Sequence, residues 1–217
     1  MGAASYGDRH ARVYDRIYGR RFAPDAAVRT LAAAAAGGAV LELGVGTGRL
    51  AIPLAAGGIV VDGIEASPAM VAQLRSRPGA ERVGVHQVDL AGFRLPRHDY
   101  AVAVCAVSTL FMLEHAAQLE CLRSTATHLR PGGRLYVEAF RPDAGRFDSD
   151  GHRVEDRTHG SVHHVVRSTH DPHARTIRLA HELDDGTYEV VLHHRTPEDL
   201  DDAAAEAGFR LAHRWHD

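Results

Sequence analysis

In this chain of 217 residues, the informative segment for the fold is VLELGVGTGRL at Val40–Leu50. An apolar run, interrupted only by Glu42, leads into glycines at positions 44, 46 and 48, and a helical pattern follows. Glycine allows backbone angles and a close approach that a Cβ forbids, so a ligand can lie against such a turn and meet the helix N-terminus. The stretch therefore predicts a strand, a ligand-binding glycine turn and a helix; a tight turn of an α/β protein without a ligand is the alternative.

Strand and helix patterns alternate on both sides of this stretch. Runs that are apolar on both faces, such as AVAVC at 101–105, are typical of a parallel sheet covered by helices. We therefore expect an α/β fold with a doubly wound, mostly parallel sheet. The predicted elements are a helix at 25–36, a strand at 40–43, a helix at about 48–56, a strand at 59–64, a helix at 68–75, strands at 83–88 and 99–105, a helix at 115–129 and a strand at 134–140.

The chain changes character after Phe140. Residues 141–158 are polar, and three strands are expected at 161–169, 174–183 and 187–195, separated by turn signals. Thr196 then begins a helix that Gly208 ends, and Phe209–Trp215 is predicted as a last strand. This part of the chain therefore predicts a small antiparallel β insertion, followed by one helix and one strand.

Composition excludes several kinds of protein. All 25 basic residues are arginine, so no lysine can form a Schiff base or bind phosphate in a Walker A loop. The formal net charge is −3 and no long block of like charges occurs, so we expect no nucleic-acid partner. No signal peptide and no run of about 18 apolar residues is present, and both cysteines fall in apolar stretches. We expect a cytoplasmic protein with reduced thiols and no membrane segment.

Two carboxylates narrow the expected ligand to a nucleoside. Glu65 ends the second strand, 21 residues beyond Gly44, where a doubly wound fold places the acceptor for two ribose hydroxyls. Asp89 follows the third strand at the same edge, where it could reach an adenine amino group. The alternative is that Asp89 only stabilises a turn. Arg49 stands where NAD sites need glycine or alanine, and Glu42 would repel a pyrophosphate. A cationic nucleoside is therefore favoured, with a NAD-dependent oxidoreductase as the alternative.

Four motifs in order across about residues 40–140 resemble class I S-adenosylmethionine-dependent methyltransferases. They are LELGVGTGRL at 41–50, GIEASPAM at 63–70, VDLAGF at 88–93 and HLRPGGRLYVEAF at 128–140. The resemblance implies a single Rossmann-like domain, 1–217, with S-adenosylmethionine as its cofactor. Within it we expect an N-terminal helical lid (1–36), a cofactor-binding core (37–140), an antiparallel cap insertion (141–195) and a last helix and strand (196–217).

The same resemblance implies roles for individual residues. The glycine turn and Glu42 would lie beside the methionine part of the cofactor, Glu65 would bind the ribose, and the Asp89 position would meet the adenine. The cofactor-binding set that it implies is Tyr14, Glu42, Gly44, Gly46, Thr47, Gly48, Glu65, Ala66, Met70, Asp89, Leu90, Cys105 and Ala106.

The N-terminal sequence YDRIYG at 14–19 is similar to the lid of many small-molecule methyltransferases, in which a tyrosine closes over the cofactor. Tyr14 is the first candidate for this role and Tyr18 is the second. The alternative is that both are core residues of an amphipathic helix, because they fall on its apolar face.

Two further resemblances concern the methyl acceptor. AVAVCAVSTLFML at 101–113 resembles the family's fourth motif, where nucleic-acid N-methylating members carry an Asn/Asp-Pro-Pro-aromatic sequence that this chain lacks. The sequence at 195–215 resembles small actinobacterial methyltransferases, in which another strand follows. These features imply a small-molecule acceptor methylated on N or O in secondary metabolism, and a monomer or a homodimer. A protein that binds S-adenosylmethionine without methyl transfer is a further alternative.

Sixteen histidines and one strand-end carboxylate supply the candidates on the acceptor side. Two pairs of histidines are adjacent in the sequence, at 163–164 and 193–194. Adjacent residues on a strand point to opposite faces, so neither pair can bind one ion by itself and we expect no metal site. Candidates for a base that deprotonates a hydroxyl acceptor are His163, His164, His193 and His194, with solvated strand residues as the alternative. Glu138 is the candidate to orient the acceptor, with a solvent-exposed charge as the alternative. In-line methyl transfer itself needs no protein nucleophile.

Overall fold

A five-stranded parallel sheet forms the first half of the molecule. The computed structural model describes residues 24–159, 162–184 and 186–215, together with Gly7, Asp8, Ala11 and Tyr14. The strands are β1 Val40–Leu43, β2 Val61–Ile64, β3 Val83–His86, β4 Tyr100–Cys105 and β5 Leu129–Val137, and their order is β3-β2-β1-β4-β5. The helices between or before them are α1 Asp25–Ala35, α2 Ala51–Ala56, α3 Pro68–Arg75 and α4 His115–His128. The predicted doubly wound sheet is confirmed.

Two fully buried strands explain the layers of this half. All residues of β1 and β4 are buried, and successive side chains of a strand point to opposite faces of the sheet. Val102 and Val104 therefore pack with α1 and α2, whereas Ala103 and Cys105 pack with α4 on the other face. Helices thus cover both faces, and none of the described helices is long and apolar enough to cross a membrane.

The second sheet is antiparallel and contains β6 His152–His159, β7 Val162–Asp171, β8 Thr176–Leu183 and β9 Gly186–His193 in that order. The sequence analysis predicted three of these strands and was wrong to leave β6 in a polar connection. β6 is an edge strand whose side chains are charged or polar apart from Val154, which is 59% exposed. β6 is held in place by its ladder with β7 and not by burial of an apolar face. Its sequence therefore has no apolar alternation from which a strand could be predicted.

The helix that follows the cap begins as predicted. α5 spans Pro197–Glu206, and the Oγ1 of Thr196 accepts a hydrogen bond from the Asp199 amide at 3.1 Å. The Asp199 carboxylate in turn accepts from the Thr196 amide at 3.4 Å, which completes a capping box.

The last strand predicted at Phe209–Trp215 is absent, and this prediction was wrong: residues 209–215 have no regular structure. Arg214 instead pairs with Glu198 and Asp201 on α5, and the Trp215 ring stacks on Tyr136 of β5 with the ring centroids 6.2 Å apart. The segment is therefore held by side-chain contacts, and β5 is an edge of the described sheet.

Candidate cofactor site

A small cleft, open to solvent, lies beyond the carboxyl ends of β1 and β4. The chain leaves β1 toward β2 and β3 on one side, whereas β4 and β5 lie on the other. Ligands of doubly wound sheets bind at such a switch point, because the loops diverge there and leave a crevice. The cleft is lined by Tyr14, Glu42, Gly44, Val45, Gly46, Thr47, Arg49, Ala106, Val107 and Thr109.

The glycine turn forms one wall of the cleft. Gly44, Gly46 and Gly48 have φ angles of 75°, 52° and 85°, in the left-handed region that side chains disfavour. A Cβ on Gly44 would lie 2.4 Å from the Cγ2 of Thr109, so this glycine allows the two walls to approach. A Cβ on Gly46 would meet no described atom nearer than the Gly44 carbonyl oxygen at 4.0 Å. The missing side chain of Gly46 therefore leaves open space at the cleft.

Glu42 places a buried carboxylate at the base of the cleft. Its exposed fraction is 4%, and its Oε2 has no hydrogen-bond partner among the described residues. Burial raises the pKa of Glu42 to about 8, and the Arg49 guanidinium opposes this shift only in part. An oxygen that is buried and unpaired in this way is suited to a cationic group from a ligand, which would stabilise its ionised form.

Glu65, by contrast, is bound by the backbone on both oxygens. Its Oε2 accepts from the Gly46 amide at 3.0 Å and its Oε1 accepts from the Ser67 amide at 2.9 Å. Burial raises the pKa of Glu65, while these two amides act in the opposite direction. Each carboxylate oxygen can accept a second hydrogen bond. Glu65 therefore holds the glycine turn in place and can still bind a ligand hydroxyl.

The N-terminal segment reaches the same region through a contact that the sequence analysis missed. The Ser67 hydroxyl donates to Asp8 Oδ1 at 2.6 Å and accepts from the Met70 amide at 3.2 Å, at the start of α3. Fifty-nine residues separate Asp8 from Ser67, and nothing in the local pattern marks the pair. Tyr14 lines the cleft, whereas Tyr18 lies outside the described residues.

Other members of the expected cofactor set are not among the residues that line the cleft. Met70 and Leu90 are buried, and Ala66 is half-buried next to Glu65. Asp89 is exposed beyond β3, where its Oδ1 accepts from the Ala91 amide at 2.8 Å. Cys105 belongs to the apolar cluster beneath the cleft, and burial raises the pKa of its thiol.

Among the described residues, none of the four histidine candidates lines the cleft. His163 is exposed and its Nε2 lies 2.6 Å from Asp156 Oδ1, while His164 stacks on the His181 ring inside the cap. His193 is half-buried, and burial lowers its pKa. The Nε2 of His194 lies 3.1 Å from that of a second histidine, His170.

Glu138 follows directly after β5 and is exposed. Its Oε2 accepts from the amide of Val107, a cleft residue, at 3.0 Å. The side chain thus lies behind one wall of the cleft. Across the ranges described here, no three His, Cys, Asp or Glu side chains are grouped as metal ligands.

A glycine turn and an acidic strand end at the switch point of a doubly wound sheet define a nucleoside-binding α/β protein. Residues 40–133 match the family model of a methyltransferase domain. The structure of the CcbJ methyltransferase from Streptomyces caelestis is similar over 96% of this chain and 88% of that one, with 33% sequence identity and a TM-score of 0.85. The chain belongs to the S-adenosylmethionine-dependent methyltransferases.

Two further structures are similar. CalS10 from Micromonospora echinaspora, an amino pentose methyltransferase involved in calicheamicin biosynthesis, was solved with bound S-adenosylmethionine. It is 28% identical, with 85% of this chain and 80% of that one covered and a TM-score of 0.65. DesVI from Streptomyces venezuelae shares the fold at 23% identity and a TM-score of 0.71, over 93% of this chain and 90% of that one. No curated protein matches the sequence.

The residues of the cleft fit the cofactor of this family. S-Adenosylmethionine carries a positive charge on its methionine part, and Glu42 offers an unpaired carboxylate oxygen in the cleft. Gly46 leaves space for close approach to the turn, and Glu65 lies beside it as an acceptor for hydroxyls. The expectation of S-adenosylmethionine as the cofactor is confirmed by the family, and the alternative of NAD is set aside.

Proposed function

We propose that this protein transfers the methyl group of S-adenosylmethionine to an amine nitrogen of a small molecule in secondary metabolism, with an oxygen acceptor as the less favoured case. The cofactor part of this proposal rests on Glu42, whose Oε2 has no partner within the described part of the chain and which lines the glycine-turn cleft. The acceptor part is supported by the likeness to CalS10, which acts on an amino pentose.

In this proposal, side chains and backbone of the cleft bind S-adenosylmethionine and orient it. Glu42 pairs with the α-ammonium of the methionine part, and Glu65 accepts hydrogen bonds from the ribose hydroxyls while it holds Gly46. Gly44, Thr47 and Gly48 shape the turn. Around the adenine we place Ala66, Asp89 and Leu90, which follow β2 and β3, and Met70 in the first turn of α3. Tyr14 covers the cleft from the N-terminal side, and Ala106, with Cys105 beneath it, forms the wall at the end of β4.

When bound, S-adenosylmethionine supplies a methyl group already activated by a positive sulfur. The protein has to align the acceptor with that methyl group and exclude water, and this alignment supplies most of the rate enhancement. An amine that arrives neutral needs no base. Among the described residues, none of the candidates His163, His164, His193 and His194 lines the cleft, which supports an acceptor that needs no base.

The experiment is methyl transfer from S-adenosylmethionine labelled on its methyl group to matched pairs of amino sugars and their hydroxyl counterparts, with products identified by mass spectrometry. We expect label in the amino sugars and S-adenosylhomocysteine in equal amount. Transfer to the hydroxyl counterparts alone would contradict an amine acceptor. Tight cofactor binding without transfer to either series would contradict catalysis and support a binding-only role.

We also propose that the protein acts in the cytoplasm, as a monomer or a homodimer. Two free, buried cysteines, Cys105 and Cys121, support a reducing compartment. Light scattering after size-exclusion chromatography distinguishes the two oligomeric states, and a larger assembly would contradict both.

A further inference from the structure

Two consecutive residues in the wall of the cleft adopt a backbone conformation that side chains disfavour. Val107 and Ser108, which follow β4 after one intervening residue, Ala106, have φ angles of 53° and 57°. A positive φ is uncommon for any residue with a side chain, and a β-branched residue such as Val107 is an outlier there. Such residues stay in this conformation only where their surroundings hold them, and they are concentrated at functional sites.

Glu138 contributes three hydrogen bonds at this turn. Its amide donates to the Cys105 carbonyl at 2.9 Å, and its own carbonyl accepts from the Ser108 amide at 2.9 Å. The residue between Cys105 and Ser108 that needs an acceptor is Val107, and the Glu138 side chain provides it: Oε2 accepts from the Val107 amide at 3.0 Å. The turn would otherwise leave that amide without an acceptor from the neighbouring strand. The Ser108 hydroxyl then accepts from the Phe140 amide at 3.0 Å.

The turn determines how the two walls of the cleft meet. Val107 and Thr109 both line the cleft. Thr109 packs against the glycine turn so closely that a Cβ on Gly44 would lie 2.4 Å from its Cγ2. A shift of the Val107–Ser108 turn would therefore move Thr109 and Ala106, which face the place where the methyl group and the acceptor meet in the proposed function.

We propose that Glu138 is a positioning residue: its carboxylate, by accepting the Val107 amide, holds the left-handed Val107–Ser108 turn and so the wall of the cleft that aligns the acceptor with the methyl group. It acts through this turn and does not contact the acceptor. The inference rests on the proposed methyl transfer for its effect on rate, and on geometry alone for its effect on the turn.

Glu138→Gln and Glu138→Ala separate this role from a charge acting on the acceptor. Glutamine keeps an oxygen that can accept the Val107 amide, whereas alanine removes it. We expect Glu138→Ala to lower kcat by roughly 10- to 100-fold, because small misalignments cost about that much, with the Kd for S-adenosylhomocysteine changed by less than about threefold. Glu138→Gln should keep kcat within about threefold of wild type, with the same pH profile. Glu189→Ala, an exposed carboxylate on β9, is the matched control.

Amide hydrogen exchange of the segment 106–109 provides a readout that does not depend on activity. The proposal predicts faster exchange in Glu138→Ala and wild-type exchange in Glu138→Gln. Equal losses of kcat in both variants, with a changed pH profile, would overturn the proposal in favour of a direct charge contact with the acceptor. Unchanged exchange in Glu138→Ala would also overturn it. If the wild type transfers no methyl group, the proposed function fails, and the exchange result still decides the role of Glu138.

Discussion

Glu42, which lines the cleft, and Glu65, which binds the Gly46 amide beside it, are two carboxylates that differ in their hydrogen bonding. Backbone amides occupy both oxygens of Glu65, whereas Oε2 of Glu42 has no partner among the described residues. The sequence predicted that Glu42 lies inside the strand before the glycine turn and that Glu65 ends the next strand, and the structure has them at these places in β1 and directly after β2. It could not predict that Glu65 ties down Gly46, because that contact depends on the backbone angles of the turn. The Asp8–Ser67 contact was invisible for a similar reason, since it joins distant parts of the chain.

Glu42→Gln tests the cationic subsite. Burial raises the pKa of Glu42 to about 8, so near pH 7 the carboxyl must release a proton to pair with the ammonium group of the cofactor. We expect the wild type to bind S-adenosylmethionine with proton release, detected by calorimetry in two buffers of different ionisation enthalpy. The glutamine variant should release none at this site and bind roughly 10- to 100-fold more weakly, as for the loss of a hydrogen bond to a charged group. Equal affinity and equal proton release would contradict the assignment; exposed Glu81→Gln is the control.

Asp8→Ala and Ser67→Ala test the contact that brings the N-terminal segment to the site. Asp8→Ala removes one hydrogen-bond partner, so we expect S-adenosylhomocysteine to dissociate roughly two- to tenfold faster in stopped-flow measurements. Ser67→Ala also removes the N-cap of α3 and should lower the free energy of unfolding by about 1 kcal/mol. Asp25→Ala, an exposed carboxylate on α1, is the control. Dissociation at the wild-type rate in both variants would show that the contact plays no part in retaining the cofactor.

Elements whose signals are local were predicted, and elements that depend on distant partners were not. α5 begins at Thr196 because its capping box lies within four residues. β6 has no apolar alternation and exists through its ladder with β7. Apolar and polar residues alternate at 209–215 as they do in a strand, yet these residues form no ladder. Arg214 instead pairs with α5 and Trp215 stacks on β5. Pairing across the chain cannot be deduced from such short patterns.

Gln118, on α4, joins that helix to the end of the cap. It is fully buried, and its Nε2 donates to the carbonyls of Leu113 at 2.9 Å and His193 at 2.6 Å, while its Oε1 accepts from Arg195 Nε at 2.8 Å. Gln118→Ala would leave these buried groups unsatisfied, so we expect the free energy of unfolding to fall by about 2–4 kcal/mol in urea denaturation. Exposed Gln87→Ala should change it by less than about 0.5 kcal/mol. A similar loss in both variants would refute this account of the joint.

At the scale of the whole molecule, the sequence predicted the core and not the position of the cap. Buried strands and alternating helices specify a doubly wound sheet almost uniquely. The cap meets the core where β9 packs against the short 3₁₀ helix Thr109–Met112, beside the wall of the cleft. This placement depends on contacts such as that of Gln118, whose partners come from separate elements.

Two buried titratable groups give the stability of the molecule opposite dependences on pH. Burial, with His170, His115 and Arg175 nearby, lowers the pKa of His194 from 6.5 to about 4, so the folded state binds fewer protons and loses stability as pH falls through this range. The pKa of Glu42 is raised from 4.5 to about 8, so stability is lost as pH rises through that range.

Thermal unfolding of two variants separates these contributions. Relative to wild type, the Tm of His194→Gln should rise as the pH is lowered from about 6.5 to 4, and the Tm of Glu42→Gln should rise as the pH is raised from about 6.5 to 8. His173→Gln, in an exposed turn, is the control. Tm differences that do not change with pH would contradict both assignments.

Calorimetric titration of S-adenosylmethionine into Gly46→Ala and Gly58→Ala tests whether the glycine turn binds the cofactor. Both glycines have left-handed backbones, with φ of 52° and 85°, and a Cβ at either would meet no described atom closer than 4 Å. The two variants should therefore lose similar stability, about 1 kcal/mol. Only Gly46 lies in the cleft, so we predict at least a tenfold loss of affinity in Gly46→Ala and wild-type affinity in Gly58→Ala. Equal affinity in the two variants would contradict a cofactor site at the glycine turn.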